Sequence, residues 1–257
     1  PEAGTVEFRD VSFRYPNAAG NELEHISFRV GRGQTLAVIG ATGSGKSTLV
    51  SLIPRFYDAT EGSVLVDGVD VKEYTFDTLY NKLGYVTQKA VLFSGTVREN
   101  VFFGESAAQN TDASLSAALQ LSQADEFVSR YPEGAAHPIA QLGRNVSGGQ
   151  KQRLSIARAL ARNPEILVFD DSFSALDYRT DAALREGLSR ELPDTTKIIV
   201  AQRISTIRHA DQILVLDRGE LVGHGTHDEL MKTCRVYQEI ALSQLSAEEL
   251  AEGGKRK

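Results

Sequence analysis

Apolar and polar residues alternate through Thr5-Val6-Glu7-Phe8-Arg9-Asp10-Val11-Ser12-Phe13, and again in Ile26-Ser27-Phe28-Arg29-Val30 before the Gly31-Arg32-Gly33 turn. A period of two is that of a half-buried strand, so these stretches predict an antiparallel β layer. A different pattern predicts a parallel core beside it. Thr35-Leu36-Ala37-Val38-Ile39, Ile166-Leu167-Val168-Phe169 and Lys197-Ile198-Ile199-Val200-Ala201 are near-continuous apolar runs, as strands covered on both faces should be. Leu83-Gly84-Tyr85-Val86-Thr87 reads as a shorter core strand. Ser63-Val64-Leu65-Val66 is a strand broken by an Asp67-Gly68 turn, and residues 212–216 and 220–222 predict a hairpin across Asp217-Arg218-Gly219. Between Lys89 and about Ala161 the strand signal gives way to helical stretches such as residues 113–119, which predicts a helical insertion into the core. The fold class expected is α/β.

Composition changes this picture little. With 41% hydrophobic and 24% charged residues among 257, the chain has the balance of a globular protein able to bury a substantial core. A net charge of −6 argues against nucleic acid as the main partner. No apolar run approaches the roughly 18 residues of a membrane span. The chain begins at Pro1 and shows no signal peptide, and the expectation is a domain cut from a longer polypeptide. The single cysteine, Cys234, has no partner for an internal disulfide, which fits a reducing compartment. His209, His224 and His227 lack metal-ligand spacing, and the Asn145-Val146-Ser147 and His227-Asp228-Glu229-Leu230 matches to modification and retention signals are out of context.

The chemistry begins at Gly40-Ala41-Thr42-Gly43-Ser44-Gly45-Lys46-Ser47-Thr48, which fits G-x-x-x-x-G-K-[ST]. A buried strand precedes it, and a helix is expected from Ser47 to near Pro54. An ordinary glycine turn would not require Lys-Ser directly after the last glycine. The glycines let backbone N–H groups curl round a phosphate at a helix N-terminus. Lys46 supplies a charge for the β- and γ-phosphates, and the Ser47 hydroxyl a ligand for Mg²⁺. The chain is therefore expected to bind a nucleoside triphosphate. Gln88, at the C-terminal end of a core strand, is placed to reach the metal or an attacking water. Asp170 ends an apolar strand in the Walker-B arrangement, facing Mg²⁺, with Asp171 nearest the water. Tyr15, before Pro16, suits either core packing or stacking on an adenine. Ser147-Gly148-Gly149-Gln150 has capping-box spacing ahead of a stripe at Leu154, Ala157, Leu160 and Ala161. That makes a second anion-binding terminus, which calls for a different nucleotide or one held by a partner. Ser174-Ala175-Leu176-Asp177 leads into the next helix.

On these residues, the chain resembles the ATP-binding cassette of ABC transporters, of the exporter type, from about Val6 to Leu245. The phosphate loop, Gln88 (the Q-loop position), residues 146–150 (the signature), Asp170 and residues 174–177 (the D-loop) occur in the family's order. Arg55-Phe56-Tyr57-Asp58 with Gly62, and Leu92-Phe93-Ser94 with Thr96-Val97-Arg98-Glu99-Asn100, carry the exporter flavour. The resemblance implies a RecA-like P-loop NTPase core (1–88 and about 162–245) with its antiparallel β subdomain and a helical subdomain (about 89–161), all one domain. The stretch from Ser243, which mixes charges with Gly253-Gly254, reads on its own residues as a flexible tail (246–257). The resemblance also implies adenine stacking by Tyr15, and a head-to-tail dimer in which Ser147, Gly148, Gly149, Gln150 and Asp177 meet the partner's ATP.

The departures from the family carry as much meaning. Asp171 stands where the catalytic glutamate is usual, and Gln202 where the switch histidine is usual. Val146 replaces Leu, and residues 140–145 lack the glutamate common in exporters. The paired Asp171 and Gln202 changes resemble the degenerate half of an asymmetric exporter. The resemblance thus implies an ATPase domain at the cytoplasmic face of the cell membrane that binds ATP and Mg²⁺. It would pair with a non-identical cassette holding the intact Glu and His, and serve transmembrane domains. A soluble ABC ATPase of repair or translation and a purely regulatory nucleotide sensor are the rivals. The exporter-like segments and acidic balance oppose the first, and the intact 147–150 segment opposes the second.

Overall fold

The computed structural model describes residues 3–104 and 110–253. The chain forms two compact units, one of Pro1–Thr75 with Thr196–Lys257 and the other of Phe76–Thr195.

In the first unit the alternating segments make the expected antiparallel sheet. Val6–Phe13 lies between Leu23–Val30 and Glu61–Val66, with Val69–Asp70 at the edge. Val6 pairs with Val30 and Val66, and Phe8 with Phe28 and Val64, which sends one set of side chains inward. The Phe8 and Phe28 rings stack at 4.6 Å. Register shifts lie beside Asp10 and His25, both left-handed at φ 49° and 50°. A second set of strands surrounds Thr35–Gly40. Thr196–Val200 and Gln212–Asp217 run parallel to it on either edge, and Glu220–Gly225 pairs antiparallel with Gln212–Asp217. Leu36, Ala37 and Val38 are fully buried, as their unbroken apolar run requires.

Both predicted hairpins form through two-residue turns. Val66 pairs with Val69 across Asp67 (φ 54°) and Gly68 (φ 77°), and Asp217 with Glu220 across Arg218 (φ 47°) and Gly219 (φ 82°). Positive φ at both central residues matches the twist of the joined strands. Asp67 also accepts bonds from Gly4 N and Thr5 N, at 2.6 and 3.0 Å, and so ties the first strand to the turn. The helices His227–Thr233 and Arg235–Gly253 complete this unit. The second carries helical backbone through residues 243–253, and residues 254–257 of the expected tail lie outside the described residues.

In the second unit Leu83–Val86 pairs parallel with Ile166–Asp170. Phe76–Lys82, Val97–Val101, Asp112–Leu121, Asp125–Val128, Gly148–Ala161 and Tyr178–Glu191 are helical. The expectation that strand structure vanishes between 89 and 161 needs one correction. Gly95–Thr96 pairs antiparallel with Pro138–Ile139. Two residues on each side, one of them a proline, are too few to write a period into the sequence. No described helix is long and apolar enough to cross a membrane.

Asp67→Ala should cost about 2–3 kcal/mol, because it leaves two buried N–H groups without their acceptor and puts a Cβ-only residue at positive φ. Asp67→Asn keeps an acceptor and tolerates that φ, so its loss should be about 1 kcal/mol or less. Denaturant midpoints of the two variants check this, and equal losses would contradict it.

Candidate functional site

The phosphate-loop residues belong to the first unit. Thr35–Gly40 is paired on both edges up to Val38, and on the Gln212–Asp217 edge to Gly40, which pairs with Leu216. A Cβ at Gly40 would lie 2.3 Å from the Leu216 carbonyl oxygen and 2.6 Å from Ser44 Oγ, so nothing larger than glycine fits where the loop leaves the sheet. Ser44 is buried and its N–H donates to Ala41 O, while Gly219 N donates to Ser44 O. Gly45 is the N-cap of the helix Lys46–Ser51 at φ 102°, a left-handed backbone where a side chain would also strike Leu23. With no side chain at the cap, the first turn keeps its N–H groups for an external acceptor. Thr42 and Gly43 form the exposed tip.

Lys46 turns back over the loop. Its Nζ donates to Gly40 O at 2.7 Å and Ala41 O at 2.8 Å, with Ser44 Oγ at 3.4 Å. The ammonium thus sits across the strand-to-loop turn, held by carbonyls that an incoming phosphate oxygen would outcompete electrostatically. Ser47 is exposed and Thr48 buried. Thr48 Oγ1 shares a 2.7 Å hydrogen bond with the Tyr15 hydroxyl. The Tyr15 ring is half-buried and meets Phe13 and Tyr57 edge to face, at centroid distances of 4.8 and 5.2 Å. The structure therefore joins Tyr15 to the phosphate-loop helix, a contact that neither residue's sequence position discloses. Gln202 is exposed just beyond Thr196–Val200.

The second unit carries the remaining candidates. Asp170 closes its strand half-buried, and Asp171 follows at φ 51° with 6% exposure. Aspartate is among the few side chains that accept this left-handed backbone. Gln88 Nε2 donates to Asp171 Oδ2 at 3.2 Å, so these two sequence-predicted residues are brought together. Ser172 Oγ donates to Val86 O, and Ser174 Oγ to Asp171 O, which fixes the turn behind the carboxylate. Tyr85 adds a group that the sequence did not single out. Burial, and the Asp170 carboxylate that its hydroxyl hydrogen-bonds, hold the phenol well above its ordinary pKa.

Ser147 caps the helix Gly148–Ala161. Its Oγ accepts from Gln150 N at 3.2 Å, and its own N–H donates to Gln150 Oε1 at 3.0 Å, the reciprocal box that the spacing predicts. Gly148 is exposed, with no heavy atom within 4 Å of where a Cβ would stand, so the helix opens on a clear face. Asp177 caps Tyr178–Glu191. Both its oxygens accept from Thr180, at 2.8 and 3.0 Å, and these bonds hold the carboxyl below its ordinary pKa.

A half-buried arginine hub was not legible in the sequence. Arg158, from the helix that Ser147 caps, donates to Asn100 O, Val91 O and Asn100 Oδ1 at 2.8, 2.9 and 3.2 Å. Asn100 Nδ2 in turn donates to Phe93 O and Thr96 O. The Arg158 guanidinium also lies over the stacked Phe93 and Phe103 rings. The exporter-like segment around 92–100 is thereby pinned to the helix that opens at Ser147.

The model of the ABC transporter family matches residues 23–174, more than half of the chain. The chain belongs to the ABC transporter family. It is 48% identical over 94% of its length to an uncharacterized ABC transporter ATP-binding protein of Mycobacterium tuberculosis. It is 45% identical over 92% to a putative multidrug export ATP-binding/permease protein of Bacillus subtilis, and 42% identical over 92% to an ATP-dependent lipid A-core flippase of Xanthomonas oryzae. It spans 41%, 40% and 40% of those proteins. A bacterial Atm1-family ABC exporter solved with ATP bound matches 95% of this chain, and 42% of its own, at a TM-score of 0.89 and 38% identity. The fold of this cassette is the family's P-loop NTPase fold, with parallel and antiparallel strands, and the chain is a member of an ATPase family.

The cassette's tyrosine can be tested through its two contacts. Tyr15→Phe removes only the hydroxyl bonded to Thr48 and should change ATP affinity less than about threefold. Tyr15→Ala should weaken binding by about 1–3 kcal/mol if the ring stacks on adenine. Calorimetric titration distinguishes them; an alanine variant that binds like the parent chain would remove Tyr15 from the site.

Proposed function

We propose that this chain is the ATP-binding domain of an exporter, working at the cytoplasmic face of a membrane as the weakly hydrolysing member of an unequal pair of cassettes. The observation that carries this reading is the combination of a complete phosphate loop and signature with Asp171 and Gln202 at the two positions that act on the attacking water. Similarity to export proteins over the cassette region supports the transport role.

The phosphate loop and Lys46 bind the triphosphate, and Tyr15 takes the adenine. Each unit offers oxygen donors of the class a hard divalent cation takes: the exposed Ser47 hydroxyl in the first, the Asp170 carboxylate and the Gln88 carbonyl in the second. Mg²⁺ held by these residues would neutralise phosphate charge. Tyr85 donates to the Asp170 carboxylate and so helps to fix its direction. None of these residues departs from what binding needs.

Hydrolysis needs a water in line with the γ-phosphate and a base to polarise it. Asp171 is one methylene shorter than glutamate, which withdraws its carboxylate by about 1.5 Å. Its Oδ2 already accepts from Gln88, so that oxygen is engaged before any water arrives. Gln202 can donate to a phosphate oxygen but has no cationic form and cannot relay a proton. Binding is therefore retained and turnover reduced. The open N-terminus at Ser147 and Gly148 meets the nucleotide of a partner cassette that keeps the Glu and His, and transmembrane domains convert closure of the pair into export.

In an assembled pair, Asp171→Ala should leave most turnover intact, while removal of the partner's glutamate should lower it by about 10²–10⁴-fold. Equal losses from the two changes would show that Asp171 is itself the working base and would overturn the asymmetric reading.

Ser147→Arg should leave ATP binding by this chain within about twofold of normal, because bulk and charge at 147 face another nucleotide. Turnover should fall only in the assembled pair. A variant pair as fast as the parent pair would contradict action across the interface.

A further inference from the structure

The strand Thr196–Val200 keeps its register one residue past its end, where Ala201 N donates to Val38 O at 3.2 Å. Gln202 comes next, and then the one-turn helix Ile204–Ile207, whose N-cap residue Arg203 makes no side-chain cap bond. The corner is held from elsewhere in the same unit. Gln244 Nε2 donates to the main-chain oxygen of Gln202 at 2.5 Å, and Gln244 Oε1 accepts from Ile204 N at 2.8 Å. One carboxamide thus serves an acceptor and a donor two residues apart, as the backbone of a facing strand would. Only glutamine and asparagine carry both functions in one planar group, and asparagine is shorter by a methylene.

Gln244 is itself well anchored. It stands with Tyr237 and Ala241 at the i, i+4, i+7 spacing of one helix face, and those two are 0% and 3% exposed. The Tyr237 hydroxyl bonds His227 Nδ1 at 2.7 Å, and Gln238 Nε2 donates to Met231 O at 2.8 Å, which fixes the helix Arg235–Gly253 to its neighbour. Packing at the corner is looser. A cavity of about 210 Å³ is lined by Ile204, Arg208, Met231, Ala241 and Gln244. Hydrogen bonds, more than close contact, therefore set the conformation between 202 and 204.

We propose that Gln244 is a positioning residue for Gln202. By fixing the carbonyl of 202 and the amide of 204, it sets the direction in which the Gln202 side chain leaves the backbone. It thereby links the C-terminal helix to the residue that faces the γ-phosphate. This rests on the reading of Gln202 as that residue in an ATP-hydrolysing cassette.

The test uses the full chain with Gln244→Leu, which keeps bulk and loses both bonds, and Gln244→Glu, which keeps the acceptor alone. Two readouts are taken: hydrogen exchange of the Ile204 amide without nucleotide, and single-turnover hydrolysis of Mg-ATP resolved into rate and affinity. Gln244→Leu should speed Ile204 exchange about tenfold and slow hydrolysis several-fold, with ATP affinity within about twofold. Gln244→Glu should speed exchange less, and in a Gln202→Ala background neither variant should slow hydrolysis further. Unchanged exchange overturns the clamp. Faster exchange with an unchanged rate, or an equal loss in the Gln202→Ala background, overturns the positioning role. If Gln244→Leu does not fold, Gln244→Glu decides by the same comparisons. A parent chain that binds no ATP would instead defeat the ATP-hydrolysing reading on which Gln202's role depends, while the exchange result still decides the clamp.

Discussion

The phosphate-loop half of this cassette depends on one buried strand, Thr35–Gly40, being paired along both edges as far as Val38 and along one edge to its last residue. Once both neighbours are in place the strand has no freedom to slip. The chain must then leave the sheet beneath the Leu216 carbonyl, where only glycine fits. The loop beyond it inherits its position from that constraint. Its amide-bearing turn, its left-handed Gly45 and the helix start at Lys46 are all set before any ligand is considered. Lys46, bonded to the carbonyls of Gly40 and Ala41, holds the loop in shape, and in the proposed reading the same ammonium meets the phosphates. Preorganisation of this kind lowers the ordering cost of binding.

The second unit applies a similar economy to its acidic residues. Asp170 ends a strand and Asp171 turns left-handed immediately after it, so adjacent carboxylates leave the backbone in different settings. Tyr85 hydrogen-bonds the first, and Gln88 the second. Each carboxylate thus has a donor from the neighbouring strand or the loop after it. The turn that carries Asp171 is held by the Ser172 bond to Val86 O and the Ser174 bond to Asp171 O, so the carboxylate leaves a fixed backbone.

Arg158 shows how a half-buried charge can give a segment its shape. Burial lowers its pKa, but five nitrogen-bound protons give it enough donors to satisfy several carbonyls at once. It collects oxygens from Val91 and Asn100, in a loop and a short helix that otherwise have little regular structure. The exporter-like stretch is thereby hydrogen-bonded to the helix capped by Ser147, while Phe93 and Phe103 remain exposed.

Much of this protein was determined by sequence alone, wherever the information is local. Residues 35–39 specify a buried strand because the run is apolar almost throughout. The Gly-Lys-Ser run specifies a phosphate loop because it comes after such a strand, and Ser147 with Gln150 specifies a capped helix because the box closes within four residues. The hairpins at Asp67-Gly68 and Arg218-Gly219 are local for the same reason. The short pair at Gly95–Thr96 and Pro138–Ile139, the Tyr15 bond to Thr48, the Arg158 hub and the Gln244 clamp on residues 202–204 were decided by tertiary structure. Each joins residues far apart in the chain through a few hydrogen bonds, and neither periodicity nor spacing records such a pairing. A glutamine on a helix looks the same in sequence whether it faces solvent or holds a backbone corner. Only the packing of Tyr237 and Ala241, which turns that face of the helix inward, makes the difference.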